Sequence, residues 1–381
     1  MTIKNDVTSL GLNESRWRRV HELAEKLCAD DEIPSMGLCI GRSDQISGIS
    51  HFGRQRIAAD SEPIRDDAIY LIASITKPIV AMGVLRLVEE GEVSLGDRVC
   101  DYIPEFGGAG RYGITLRHLL THTSGLPDML PNNKELRIAN APLEAFVEAT
   151  CQSEPAFPPG RGVQYQSMGF ALLGEIIKRV RRVTCSEFLR TEFFEPLEMH
   201  DTELGAPASW FDSSDGIAKA NRIAEIRLPE GQHPDDGWNW NSRYWRSLGA
   251  PWGGLLTTPA DLARFAQMML NEGWFGDRKI LSQATIAAAT RNQLNALRGV
   301  PEEDRRIKPW GLGWRLNWPA HSANFGDLLG PRTYGHWGAT GTVLWIDPDL
   351  EAFALVLSTE PQEPHGKWIA RLSNVIASAF L

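Results

Sequence analysis

Ser74-Ile75-Thr76-Lys77 sets a serine and a lysine three residues apart. On a helix that spacing puts both side chains on one face, one turn above the other. A serine hydroxyl is a weak nucleophile until a base takes its proton. A lysine can be that base only where its ammonium form is disfavoured, by the partial positive charge of a helix N-terminus or by burial. Its pKa must fall from about 10.4 to roughly 7–8 for work at neutral pH. The helix terminus offers a modest part, and desolvation and the neighbouring His336 are the available sources of the rest. About one Ser-x-x-Lys arises by chance in a chain of this length. Among the lysines, however, only Lys77 has a serine three residues before it, with an apolar run on either side. Pro78 belongs in the first turn of a helix, so Ser74 is expected at the very start of one.

Two further groups join this pair. Tyr165-Gln166-Ser167 follows Pro158-Pro159-Gly160 and precedes an apolar helical pattern. A tyrosine beside a lysine can shuttle protons. His336-Trp337-Gly338-Ala339 lies in an extended region, where a small Gly-Ala stretch can point a backbone N–H at a substrate carbonyl oxygen. Other constellations are weaker. His118 and His122 stand four apart but lack the glutamate of a metalloprotease helix, so they read as histidines near a turn. No serine has glycine both two before and two after it. Trp238, Trp240, Trp245 and Trp252 either wall an apolar pocket or pack a long loop onto the body.

The elements that must hold these groups can be read from period and punctuation. Trp17, Val20, Leu23 and Leu27 predict a helix over 15–29. Residues 36–58 read as extended segments broken by glycines. The apolar run 69–73 leads into a helix that ends near Glu90, stopped by Gly91. Helices are expected at 116–122, 143–152, 168–182, 185–194 and 259–272. The last is capped by Thr258, with Pro259 first and Asp261 reaching back to the cap. The stretch 205–249 has no strong period. Strands are expected near 311–318, 333–338, 342–347 and 352–358, then a helix at 366–380. This is an α/β pattern: an antiparallel sheet flanked by helices, built from both chain termini, with a mostly helical insertion. The division is 1–92 with 250–381 as the α/β domain, and 93–249 as the insertion with long loops.

The three motifs, in this order, resemble those of the class C β-lactamase-like serine hydrolases, a group that includes penicillin-binding enzymes, D-aminopeptidases and β-lactamase-like carboxylesterases. Leu119-Leu120-Thr121-His122-Thr123-Ser124-Gly125-Leu126 and Gly253-Gly254-Leu255-Leu256 also resemble landmark segments of that family. The resemblance spans roughly residues 35–360. It implies a β-lactamase-like fold with Ser74 as acyl-accepting nucleophile, Lys77 as its base partner and Tyr165 as the second acid/base group. It implies an oxyanion hole made by the N–H groups of Ser74 and Ala339, and substrate contacts at Ser167, His336, Trp337 and Gly338. No metal and no organic cofactor is implied. Ser167 stands where true class C β-lactamases have asparagine, and His336 where they have a carboxylate-binding lysine. Both departures weaken the case for efficient β-lactam hydrolysis and are tolerated in esterase and D-peptidase relatives, and the activity expected first is that of a carboxylesterase acting on small esters. A D-amino-acid peptidase or amidase, a weak β-lactamase and a transesterifying acyltransferase are the alternatives in the same chemistry. A catalytically silent binding or scaffold protein is the alternative in another class.

Composition bounds the rest. The 381 residues are 43% hydrophobic, ample for a large core. A formal net charge of -9 repels phosphate backbones, so the expected partner is a small ester or amide and not nucleic acid. Five widely spaced cysteines form no C-x-x-C and read as buried free thiols in a reducing compartment. The polar N-terminus has no apolar leader segment, and no membrane span is expected. These readings predict cytoplasmic residence.

Overall fold

The computed structural model describes residues 2–4, 7–108, 110–212, 218–317, 325–362 and 367–381. In chain order the elements begin with β1 (Thr2–Lys4), α1 (Glu14–Ala29), β2 (Ser35–Arg42), β3 (Gln45–Ser47), β4 (Ser50–Gly53), β5 (Tyr70–Leu71) and α2 (Thr76–Glu89). Helices follow: α3 (Val99–Tyr102), α4 (Leu116–Leu120), α5 (Asn133–Ile138), α6 (Leu143–Cys151), α7 (Met168–Arg181) and α8 (Cys185–Leu189), which runs on into a π turn at Arg190–Phe194. Next come β6 (Glu203–Leu204), α9 (Arg243–Leu248), β7 (Leu255–Thr257), α10 (Pro259–Leu270), β8 (Trp274–Phe275), β9 (Arg278–Lys279), α11 (Gln283–Thr290) and α12 (Glu302–Ile307). The chain closes through β10 (Arg315–Leu316), β11 (Tyr334–Gly338), β12 (Thr342–Asp347), β13 (Ala352–Ser358) and α13 (Lys367–Ala379).

Among the described residues, eight strands form one sheet in the order β1-β3-β2-β13-β12-β11-β10, with β4 also on β2. Strands from both ends of the chain meet where β2 pairs with β13, Met36 opposite Ser358 and Arg42 opposite Ala352. Every pairing is antiparallel except that of β1 with β3. Successive side chains alternate between two cores, as the pleat requires. Met36, Leu38 and Ile40 of β2, Val343 and Trp345 of β12, and Ala354 and Val356 of β13 face α1 and α13. Cys39, Leu344, Ile346, Phe353, Leu355 and Leu357 face the larger core shared with α2 and α10. Because both faces are covered, these strands read as continuous apolar runs and not as polar–apolar alternation.

The expected helices form, with ends shifted by a few residues. Pro78 is the third residue of α2, inside its first turn. Gly91 stands at φ +73, the left-handed conformation that ends a helix. Thr258 caps α10 by accepting the Asp261 N–H, but the Asp261 carboxylate does not reach back to the cap. It accepts instead from the Asp201 N–H and the Thr202 hydroxyl. Helices α3, α5, α9, α11 and α12 are additional to those expected. Each is short, and α9 and α11 begin with a serine that caps them, Ser242 and Ser282. Residue 318 of the expected strand 311–318, residue 366 of the final helix and residues 213–217 of the stretch 205–249 lie outside the described residues. All five cysteines are free; Cys39, Cys151 and Cys185 are buried, while Cys28 and Cys100 are half-buried. No helix among the described residues is long and apolar enough to cross a membrane.

A second, three-stranded sheet, β5-β7-β6, carries the segment that enters α2. The turn after β11 grips this segment. Thr340 Oγ1 donates to the Leu71 carbonyl at 2.7 Å, and Thr342 Oγ1 to the Ile72 carbonyl at 3.0 Å. Gly338 makes the approach possible, since a Cβ there would lie 2.3 Å from Ile72 O. Gly338→Ala should therefore lower stability by about 1–3 kcal/mol in urea unfolding, the usual cost of forcing a methyl into packed space. A variant as stable as the parent would show that the end of β11 can move away from Ile72.

Candidate active site

Ser74 sits at a corner. β5 pairs with β7, Leu71 opposite Leu256, and the Ile72 N–H donates to the Leu255 carbonyl at 3.0 Å. Ala73 then takes φ +45, a conformation uncommon for a residue with a side chain. A 3₁₀ turn, Ala73–Ile75, runs directly into α2. The corner leaves Ser74 half-buried and places Lys77 in the first turn of the helix, fully buried. Lys77 Nζ lies 2.9 Å from Ser74 Oγ and 2.8 Å from the Trp252 carbonyl, donating to both. Ala339, exposed at the turn after β11, stands on the segment that grips the corner through Thr340 and Thr342.

The segment before α7 forms the facing wall. Lys77 Nζ stands 4.8 Å from the centre of the Tyr165 ring. The Gln166 N–H donates to His122 Nδ1 at 3.1 Å, and the Gln166 side chain joins Ser124 Oγ at 2.6 Å to the Leu119 carbonyl at 3.0 Å. These bonds tie the 119–124 segment to the tyrosine. The His122 ring lies 4.7 Å from Tyr165 and 4.1 Å from Trp310, measured between ring centres. His336 on β11 closes the group, 6.0 Å from Tyr165 and 5.9 Å from Trp310.

Burial dominates the electrostatics. It pushes Lys77 down from 10.5 to about 7, against the opposite pull of the Asp128 carboxylate. His336 does not supply that lowering. Burial, and then the Lys77 charge, drive His336 itself to about 3, so it is a neutral imidazole at working pH. His122 is held well below its ordinary value for the same two reasons. Burial pushes the Tyr165 phenol far up, against a smaller effect of the Ser74 hydroxyl, so it keeps its proton. The arrangement can therefore accept a proton from a serine at Lys77 and give one from Tyr165.

Ser74, Lys77, Tyr165 and His336 lie together, and Gly338, with Ala339 after it, stands against Ile72 at the start of the corner. Ser167 comes with them, but it is buried and its hydroxyl donates to Asp128 Oδ1 at 2.6 Å. Trp337 does not join: its side chain packs with Phe325 on the α1–α13 side of the sheet, as the alternation along β11 dictates. Trp238, Trp245 and Trp252 are buried as a ladder, with ring centres 5.7 and 6.5 Å apart, and pack the loop onto the body. His118 turns to Thr115 at the start of α4, and the described residues hold no metal-binding cluster. Trp310 and Asp128 are site neighbours that no sequence motif singles out, and His122, which the sequence presents as a histidine near a turn, lies with them. The one signal was that His122 lies within a landmark segment. A broad concavity of about 960 Å3 lined by Leu143, Thr184, Pro207 and Tyr244 contains none of these residues.

A serine at a strand-to-helix corner, backed by a buried lysine and by a tyrosine that precedes a helix, is the arrangement the fold presents. The model of the Beta-lactamase family matches residues 20–374, and the chain belongs to that family. A Salmonella heidelberg (strain SL476) protein named as a D-alanyl-D-alanine carboxypeptidase is 28% identical over 331 residues, covering 80% of this chain and 72% of that protein. Among solved structures, a penicillin-binding protein homologue from Caulobacter crescentus superposes with a TM-score of 0.77 at 22% identity, covering 96% of this chain and 97% of that one. A family VIII carboxylesterase gives 0.75 at 22%, covering 96% and 98%. Like its family, the protein is a serine hydrolase.

The Lys77 amine also bears on stability. It titrates at 10.5 in the unfolded chain and at about 7 in the folded one. Below about pH 7 the fold carries a buried ammonium at full cost. Between the two values the unfolded chain binds a proton that the folded chain does not, so stability rises with pH. Lys77→Met removes this dependence. Its stability relative to the parent should be greatest below pH 7 and should decline as pH rises toward 10, read from urea midpoints. The lost hydrogen bonds shift both ends equally, so a pH-independent difference would show that the buried amine is not depressed.

Proposed function

We propose that the protein is a carboxylesterase-like hydrolase of small esters that works through an acyl-enzyme on Ser74. The observation that carries this is the 2.9 Å contact between Ser74 Oγ and a buried Lys77 amine whose pKa is about 7. Near neutral pH much of the amine is uncharged, so it can take the serine proton as Oγ attacks the ester carbonyl carbon. The oxyanion that forms is held by the Ser74 and Ala339 N–H groups. Tyr165, which keeps its proton, gives it to the departing alkoxide, and the alcohol leaves. Water then attacks the acyl-enzyme, its proton returning through the same two groups, and the acid and free serine are released. None of these steps calls for a metal or an organic cofactor.

The preference for esters rests on two residues. His336 is neutral where β-lactamases place a lysine, so it offers no charge to a substrate carboxylate. The Ser167 hydroxyl is committed to Asp128 and offers no amide-like donor and acceptor pair. A peptidase or amidase acting on D-amino-acid derivatives is the second reading, favoured by the name of the Salmonella relative.

p-Nitrophenyl acetate should give a burst of one p-nitrophenol per chain and an acetyl mass shift on the Ser74 peptide. Ser74→Ala should show neither; full turnover by that variant would end the assignment. Esters should be cleaved faster than D-alanine amides or nitrocefin, and the reverse order would favour the second reading. The value of kcat/KM should rise with pH through an apparent pKa near 7, a property of the coupled Lys77–Tyr165 pair. The two histidines titrate too low to account for that limb. Lys77→Arg keeps the charge but cannot release its proton, and should lose roughly 10²–10⁴-fold. A near-normal rate in this variant would move the base to Tyr165.

A further inference from the structure

We propose that the Asp128 carboxylate is an anchor for a substrate ammonium group, so that the preferred ester or amide carries a protonated amine. This rests on the hydrolase reading above and names the substrate class for the same site. Asp128 lies on the loop between α4 and α5, half-buried, and its Oδ1 accepts the Ser167 hydroxyl hydrogen at 2.6 Å. Ser167 precedes α7 as its N-cap yet makes no cap bond with its side chain. A serine in that position ordinarily accepts from its own helix. Here its single hydrogen goes to the carboxylate, a short charge-assisted bond that fixes Asp128 in orientation.

Among the described residues Asp128 forms no ion pair, and the cations within its electrostatic reach are committed elsewhere. Lys77 donates to Ser74 and Trp252. The Arg137 guanidinium lies over the rings of Trp238 and Trp245 at 4.5 and 4.4 Å, with one nitrogen on Met129 Sδ at 3.5 Å. Ser167 stands two residues after Tyr165, so the bond from its hydroxyl holds the carboxylate beside the tyrosine segment, and the Asp128 charge acts on Lys77 and Tyr165. A half-buried carboxylate held by one hydroxyl and left without a counter-ion favours a cation from solution more than an exposed one does. A purely hydrocarbon acyl group leaves this side of the site to water.

Benzyl esters of alanine, N-acetylalanine and propanoic acid share a leaving group and differ only in the amine. At about pH 7, and after division by each ester's own hydroxide-catalysed rate, which an α-ammonium raises by induction, the alanine ester should show a kcat/KM at least about tenfold above the propanoate, with the acetylated ester between them. Asp128→Asn should bring the ratio close to one, and Ser167→Ala should reduce it. Calorimetric titration of the same esters into Ser74→Ala protein reads binding without turnover and should give the same order. The proposal is overturned if the parent protein binds and cleaves alanine and propanoate esters equally well, or if Asp128→Asn keeps the preference. Failure of the hydrolase reading looks different: no release of benzyl alcohol from any ester, while the titration still decides whether the ammonium is recognised.

Discussion

The whole site depends on keeping one amine dry. A lysine with no exposed surface is costly to bury as an ammonium, and the structure meets that cost by letting the amine lose its proton near neutral pH. Two acceptors hold it, the Ser74 hydroxyl and the Trp252 carbonyl. The first makes the amine useful. The second fixes where the amine must sit, and so fixes the loop before β7. Burial of Lys77 is shared by α2, the Trp252 loop, Tyr165 and Phe170, so none of these can shift without wetting it.

That constraint spreads to the neighbouring charges. Both histidines of the site are held neutral by burial and by Lys77 itself. His122 then serves through its lone pair, accepting the Gln166 N–H and so setting the backbone next to Tyr165. Asp128 is the counterweight. Burial alone would carry the amine lower still, and the carboxylate holds it up near 7. The pKa of Lys77 is thus a balance between an apolar enclosure and one half-buried acid.

What could be read in advance follows from how local each feature is. The Ser74–Lys77 spacing is a property of one helical turn, and the strands β2, β12 and β13 are long apolar runs with clear ends. Both were legible. The face of a strand follows from its register, which depends on the whole sheet, and Trp337 was therefore read onto the wrong side of β11. Short elements carry too few residues to show a period, which hid α9 and α11 behind their serine caps. The residues that surround the site without acting in sequence motifs, Asp128 and Trp310, come from loops far from Ser74 in the chain. Only the packing of α4, α7 and β10 brings those loops together.

The same separation explains how such a site can change substrate without losing its chemistry. Lys77 and Ser74 belong to α2 and its corner, and the grip of Thr340 and Thr342 on Leu71 and Ile72 brings the Ala339 turn to that corner. Helix α7 packs directly on α2, so the tyrosine segment is positioned by core contacts and by the His122–Gln166 bond. The Asp128 loop meets this framework through the Ser167 hydroxyl, and Trp310 meets it through the His122 and Tyr165 rings. Asp128 acts on Lys77 across this framework, so an ammonium anchored there would also move the pKa of the amine.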